Sequence, residues 1–157
     1  MTSKSLFLLG LLAAPLSAQT AADREAVLKP VNQLFDGMRK HDSAMVRAAF
    51  APIGRLLNIS DREGVIKASA LSPDDFAKAV GREPASPPWN EPIYDPEIRI
   101  EGRVATVWAW YDFILGDKWM HCGVDAFQLA LLGDGWKITQ IVDTRQTTGC
   151  KTPAAPK

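Results

Sequence analysis

Five ionisable side chains late in this chain, Asp112, His121, Asp125, Asp143 and Arg145, have the types and spacing to work together. They fall in three segments of alternating character, Val104–Leu115, Trp119–Leu132 and Trp136–Arg145. Gly116-Asp117 and Gly133-Asp134-Gly135 join these segments, and short Gly-containing connections of this kind signal hairpins. A two-residue turn at Gly116-Asp117 sets Asp112 opposite His121, Trp110 opposite Gly123 and Trp108 opposite Asp125. A three-residue turn at Gly133–Gly135 sets Asp125 opposite Asp143 and Gly123 opposite Arg145. A glycine bulge there would shift the second set by one. Residues facing each other across strands have Cβ atoms roughly 4.5–5.5 Å apart. At that range a carboxylate fixes the tautomer of an imidazole and raises its pKa, which makes a general acid or base. His121 is therefore the candidate acid/base, with Asp112 or Asp125 as its partner. Asp125 against Asp143 is a like-charge pair in which one carboxyl keeps its proton unless Arg145 neutralises it. Trp108, Trp110 and Phe127 would wall the site for a small, mostly apolar or aromatic ligand, while Asp143 and Arg145 would set its charge.

The same strands support a plainer reading. The opposite face carries Val107, Ala109, Tyr111, Val124, Ala126, Ile138 and Val142, and is the more apolar one. If that face meets the helices, the polar face is solvent or a dimer interface, and Asp143 with Arg145 is a surface ion pair.

The rest of the chain must position these strands. Ala22–Lys40 carries Val27, Val31, Leu34, Phe35 and Met38 at helical spacing, with Pro30 expected to kink the helix or to sit in its first turn. Asp42 reads as the N-cap of a second short helix closed by Pro52 and Gly54. Arg55–Ile59 and Val65–Ala68 read as a short strand pair. Ser72-Pro73-Asp74-Asp75 starts a third helix, with Ser72 as cap, Pro73 at its first position and Asp75 completing a capping box. Arg82–Pro92 holds four of the 11 prolines and reads as a loop, in which Trp89 needs somewhere to bury. Ile93–Ile100 is a further strand. Segregated helices and a run of strands predict an α+β fold, with helices packed on a curved, mainly antiparallel sheet.

The ends and the composition narrow the setting. Residues 1–18 read as a secretory signal peptide, with Lys4, an apolar run over Leu6–Ala14 and a cut after Ala18. The alternative, a membrane anchor, would need about 20 apolar residues. Residues 19–150 then form one domain, and 151–157 a disordered tail. The protein is expected to be secreted or periplasmic, with no membrane contact in its mature form. The 18 Lys+Arg balance 18 Asp+Glu without a basic run, which argues against a nucleic-acid partner. The two cysteines, Cys122 and Cys150, lack metal-site spacing, and in an exported chain an even count favours a disulfide. Register supports it, since Cys122 falls opposite Gln146 and Thr147–Gly149 lets the chain turn back.

The order of elements resembles the nuclear-transport-factor-2-like superfamily of cone-shaped α+β proteins. More closely, the chain resembles its small secreted bacterial members, the lumazine-binding-like and SnoaL-like proteins of unknown function. The match rests on Phe35-Asp36-Gly37-Met38 with His41-Asp42, Trp89-Asn90-Glu91-Pro92, and Val107-Trp108 with Tyr111. It continues through His121-Cys122-Gly123 with Asp125 and Phe127, Gly135-Trp136-Lys137-Ile138, Asp143-Thr144-Arg145 and Gly149-Cys150. The resemblance implies a pocket inside the cone and frequent homodimers. It implies no particular reaction, because one fold hosts many activities. The expectations are an exported binder of a small ligand, a cofactor-independent lyase, isomerase or cyclase using a His/Asp pair, or a structural or interaction module. No nucleotide, flavin or metal signature is present, so no cofactor and no metal is expected.

Overall fold

The computed structural model describes residues 20–62, 64–82 and 86–151. The expected signal segment and residues 152–157 of the expected tail lie outside the described residues. Helix α1 spans Ala21–Lys40, starting in a capping box between Thr20 and Asp23. It runs on through Pro30, which sits in its interior rather than in its first turn. The stripe Val27, Val31, Leu34, Phe35 and Met38 is buried to 4% exposure or less. Each such side chain contributes roughly 1.5–3 kcal/mol, enough to outweigh the hydrogen bond that proline removes. Helix α2 spans Ser43–Ala49, with the Asp42 carboxylate accepting from Met45 N. Strand β1 (Phe50–Arg62) follows directly, pairs with β2 (Val65–Leu71), and is longer than the pattern suggested because Pro52 and Gly54 lie within it. Helix α3 (Pro73–Gly81) begins at the expected Ser72-Pro73-Asp75 cap. No described helix is long and apolar enough to cross a membrane.

The proline-rich stretch contains a two-residue strand, β3 (Trp89–Asn90), which the sequence pattern gave as loop. After it come β4 (Ile93–Glu101), β5 (Val104–Leu115), β6 (Lys118–Leu132) and β7 (Gly135–Arg145). The seven strands form one sheet in the order β2-β1-β7-β6-β5-β3, with β4 also pairing along β5. All neighbours are antiparallel except β1 and β7. The helices cover one face, and α1 closes the core through Phe35, which meets Phe127 edge-on at 6.1 Å.

Register decides the site. Near the turn, Leu115 pairs with Lys118 and Ile114 with Trp119, as a two-residue turn requires. Between Phe113 and Ile114 the ladder slips, leaving Met120 as an extra residue on β6. From there Phe113 pairs with His121, Asp112 with Cys122, Trp110 with Val124 and Trp108 with Ala126. The expected pairs of Asp112 with His121, Trp110 with Gly123 and Trp108 with Asp125 are therefore not formed. One inserted residue moves every later partner by one and turns its side chain to the other face. The second turn holds two residues rather than the expected three, since Leu132 pairs with Gly135, and a bulge between Gln128 and Leu129 then restores the expected pairing of Asp125 with Asp143.

The Cys122–Cys150 disulfide is present, with Cα atoms 5.8 Å apart. It folds the C-terminal segment back over the outer face of β6. There Lys151, read as the first residue of a disordered tail, pairs with Asp95 at 2.8 Å and sits 5.8 Å over the Trp110 ring.

Candidate functional site

Between α1, α3 and the covered face of the sheet lies a cavity of about 240 Å³. Leu34, Phe35 and Met38 from α1 and Phe76 from α3 form one wall. Trp89, Phe113 and Phe127 from the sheet form the other, and Glu91, His121, Asp125, Asp143 and Arg145 are its polar lining. His121, Asp125, Phe127, Asp143 and Arg145 were all expected at one site, and the fold brings them together on the covered face. Glu91 was not expected there. It follows β3 in the Trp89-Asn90-Glu91-Pro92 stretch, where the sequence signals were a loop Trp that needs somewhere to bury and the place of this stretch in the family resemblance.

Asp112, Trp108 and Trp110 are not in the cavity. They alternate with Val107, Ala109, Tyr111 and Phe113 along β5, and so face the other side of the sheet. Trp108 is 49% exposed. The Asp112 carboxylate accepts from Tyr94 Oη at 3.0 Å and Trp119 Nε1 at 2.8 Å, which fixes it on the outer surface. It cannot orient His121. The cavity face thus combines residues from both faces of the sequence reading: the apolar side chains expected on β5, and the polar ones expected on β6 and β7.

Tyr111 takes the place beside His121. Its hydroxyl donates to Thr144 O at 2.8 Å and lies 3.3 Å from His121 Nδ1. With its hydrogen committed to the carbonyl, the Tyr111 oxygen is the acceptor in the second contact, so Nδ1 of His121 carries a proton. Burial, then the nearby negative charges of Glu91, Asp143 and Asp125, hold the Tyr111 phenol far above its ordinary range, so it stays a neutral hydroxyl. Phe113 stacks on the His121 ring at 5.0 Å and fixes its plane.

Gly123 makes this arrangement possible. A Cβ at that position would stand 1.8 Å from Thr144 O and 2.9 Å from Tyr111 Cε1. The missing side chain lets the Thr144 carbonyl reach the Tyr111 hydroxyl. The Thr144 hydroxyl accepts from Val124 N at 3.0 Å.

Asp125 and Glu91 bring two buried carboxyls to the cavity. Asp125 is 2% exposed, and its Oδ2 meets none of the N–H or hydroxyl donors around it. Its carboxyl lies within hydrogen-bonding reach of that of Glu91. Two carboxyls can bond in this way only through a proton that one of them carries. Burial, then the charge of Asp143, pushes Glu91 up to about 8, with Arg145 opposing. Burial, then Glu91 and Asp143, raises Asp125 well above the usual carboxylate range. The third carboxyl has ordinary partners: Asp143 accepts from Asn58 Nδ2 at 2.6 Å and from Arg145 Nε at 3.0 Å. Among the described residues, no group of three or more His, Cys, Asp or Glu is placed to hold a metal ion.

A helical layer on a curved, mostly antiparallel seven-stranded sheet, with a cavity inside the cone, is the nuclear-transport-factor-2-like fold. Solved structures agree. A nuclear-transport-factor-2-like protein of unknown function from Shewanella baltica superposes with a TM-score of 0.64 at 16% identity, over 84% of this chain and 100% of its own. A protein of the same fold from Novosphingobium aromaticivorans gives 0.65 at 11% identity, over 82% of this chain and 84% of its own. A Streptomyces avermitilis protein described as a "putative dehydratase" gives 0.60 at 13% identity, over 81% of this chain and 98% of its own. At these identities the likeness is one of fold. Within that class the chain belongs to the family described as "Putative lumazine-binding", which matches residues 22–142. No curated protein matches the sequence.

Proposed function

We propose that the cone binds a small, mostly apolar or aromatic molecule and moves a proton on it without a cofactor. The observation that carries this reading is the buried Asp125–Glu91 pair. It holds a proton between two carboxyls at the base of an aromatic cavity, close enough to neutral pH to give it up or take it back. Asp125, whose carboxyl lines the cavity, is the group that touches the reacting atoms. His121, which lines the same cavity beside the Tyr111 hydroxyl, is the second acid/base group. Two such groups can take a proton from one position of a ligand and return one to another, which is the chemistry of lyases, isomerases and cyclases. The dehydratase description of the Streptomyces relative falls in that class. The family description supports a small-molecule ligand.

The apolar majority of the lining favours a second reading, a carrier that binds and does no chemistry. One experiment separates the two. A molecule that co-purifies with the protein is identified by native mass spectrometry and returned to the protein in deuterated water. Proton transfer predicts deuterium entering a C–H position of the ligand, lost in Asp125→Asn and His121→Ala while the fold is kept. A carrier predicts no exchange in any variant, with only affinity changed.

The protein also acts, on this reading, outside the cytosol, as its signal-like first residues and the disulfide argue. A second copy covers the outer face around Trp108, which analytical sedimentation at micromolar concentration would reveal.

A further inference from the structure

The charges in the cavity restrict what it can hold. Three carboxyls, Glu91, Asp125 and Asp143, line it together with one guanidinium, Arg145. Arg145 is bonded to Asp143. Its more distant attraction for the inner pair is outweighed by burial and by the repulsion among carboxyls, which is why that pair retains a proton. Groups facing the pair come from every side of the sheet: Asp143 and Arg145 from β7, Tyr111 from β5 and His121 from β6 itself. The helix wall adds only the apolar Leu34, Phe35, Met38 and Phe76. The Asp125 carboxyl lines the cavity, and its Oδ2 is buried without an N–H or hydroxyl donor. The walls are aromatic, and aromatic faces attract cations.

We propose that the ligand of this cavity is an organic cation, a protonated amine or amidine on an apolar or aromatic body. Its N–H groups bond the carboxylate of Asp125, and its positive charge takes the place of the proton shared by Asp125 and Glu91. The proton leaves to solvent as the cation enters, so the net charge of the cavity is the same before and after binding. That exchange avoids the cost of adding an uncompensated charge to an apolar site. An anionic ligand would instead add to three carboxyls. The proposal rests on the reading of the cone as a small-molecule site, and says which class of molecule that site takes.

Benzylammonium, benzyl alcohol and benzoate share a shape and differ in charge, so they serve as probes. Each is titrated calorimetrically into the protein near pH 7, in two buffers of different ionisation enthalpy. Benzylammonium is expected to bind at least about tenfold tighter than benzyl alcohol, with release of close to one proton. Its affinity should rise as pH passes upward toward about 8, where Glu91 ionises without help. Glu91→Gln and Asp125→Asn should each bring amine and alcohol to near parity and abolish the proton release, with circular dichroism confirming the fold. Equal or tighter binding of the alcohol or of benzoate would overturn the cationic class and leave the pocket standing. Failure of all three to bind would overturn both.

Discussion

A carboxyl buried beside another carboxyl changes stability with pH in the opposite sense to most acidic groups. The native Glu91–Asp125 pair holds a proton that the unfolded chain releases at ordinary carboxylate pH. Stability from this source is therefore fully present below the unfolded value of 4.5 for Glu91, and is lost as pH rises toward about 8. One extra native proton corresponds to a slope of about 1.4 kcal/mol per pH unit in that window. Denaturant unfolding between pH 5 and 8 should show stability falling, and Glu91→Gln should flatten the fall and raise stability at the alkaline end. An unchanged slope in the variant would mean the pair is not sharing a proton. Asp112 provides the contrast. It lies on the outer face with Tyr94 and Trp119, so Asp112→Ala should cost about 1 kcal/mol of stability for lost hydrogen bonds. It should leave binding of any cavity ligand unaltered, and a titration of both proteins with the same ligand checks this.

Two features of the strands decide which side chains enter the cavity. The extra residue Met120 shifts β6 by one position against β5, so that His121 follows Phe113 inward while Asp112 turns outward. Downstream, Gly123 lets β7 approach, so that the Thr144 carbonyl reaches Tyr111. Adding a methyl there would force the β6–β7 pair apart or displace the tyrosine. Gly123→Ala is accordingly expected to destabilise by about 3 kcal/mol or more, the upper end for overpacking. In any variant that still folds, the contact between Tyr111 and His121 should be lost, which the His121 ring resonances in nuclear magnetic resonance spectra would report. A neutral Gly123→Ala would show that this approach is not required.

For the molecule as a whole, the C-terminal segment is held by one covalent bond. Cys122 and Cys150 are separated by 28 residues, and closing a loop of that size stabilises by roughly 3 kcal/mol on the chain-entropy account. Cys150→Ser should lower stability by about that amount while keeping the cavity, since Cys122 lies on a central strand that is held on both sides. A double variant, Cys122→Ser with Cys150→Ser, separates loss of the bond from a new free thiol. The intact mass of the protein recovered from an exporting bacterium should correspond to a chain beginning at Gln19. A full-length mass would refute the expected cut after Ala18.

Local rules made much of this molecule legible in its sequence. The caps at Asp42 and Ser72, the apolar stripe of α1 and the Gly-containing turns each depend on residues within a few positions of one another. Their energetics are settled before distant parts of the chain meet. The α+β order followed from the run of elements, and the disulfide partner from the even cysteine count. The pairing of Asp125 with Asp143, expected from a three-residue turn, is instead made by a two-residue turn and a bulge. Membership of the cavity did not follow from local rules. A bulge of one residue costs little locally and changes the facing of every position beyond it, and whether it forms depends on how the whole sheet curves over α1. Glu91 shows the limit most clearly. Nothing near it in sequence marks an acid of unusual chemistry, because its properties come from burial against residues contributed by β6 and β7. The types of groups available for chemistry could be read along the chain, while the choice of which two carboxyls share a proton required the folded sheet.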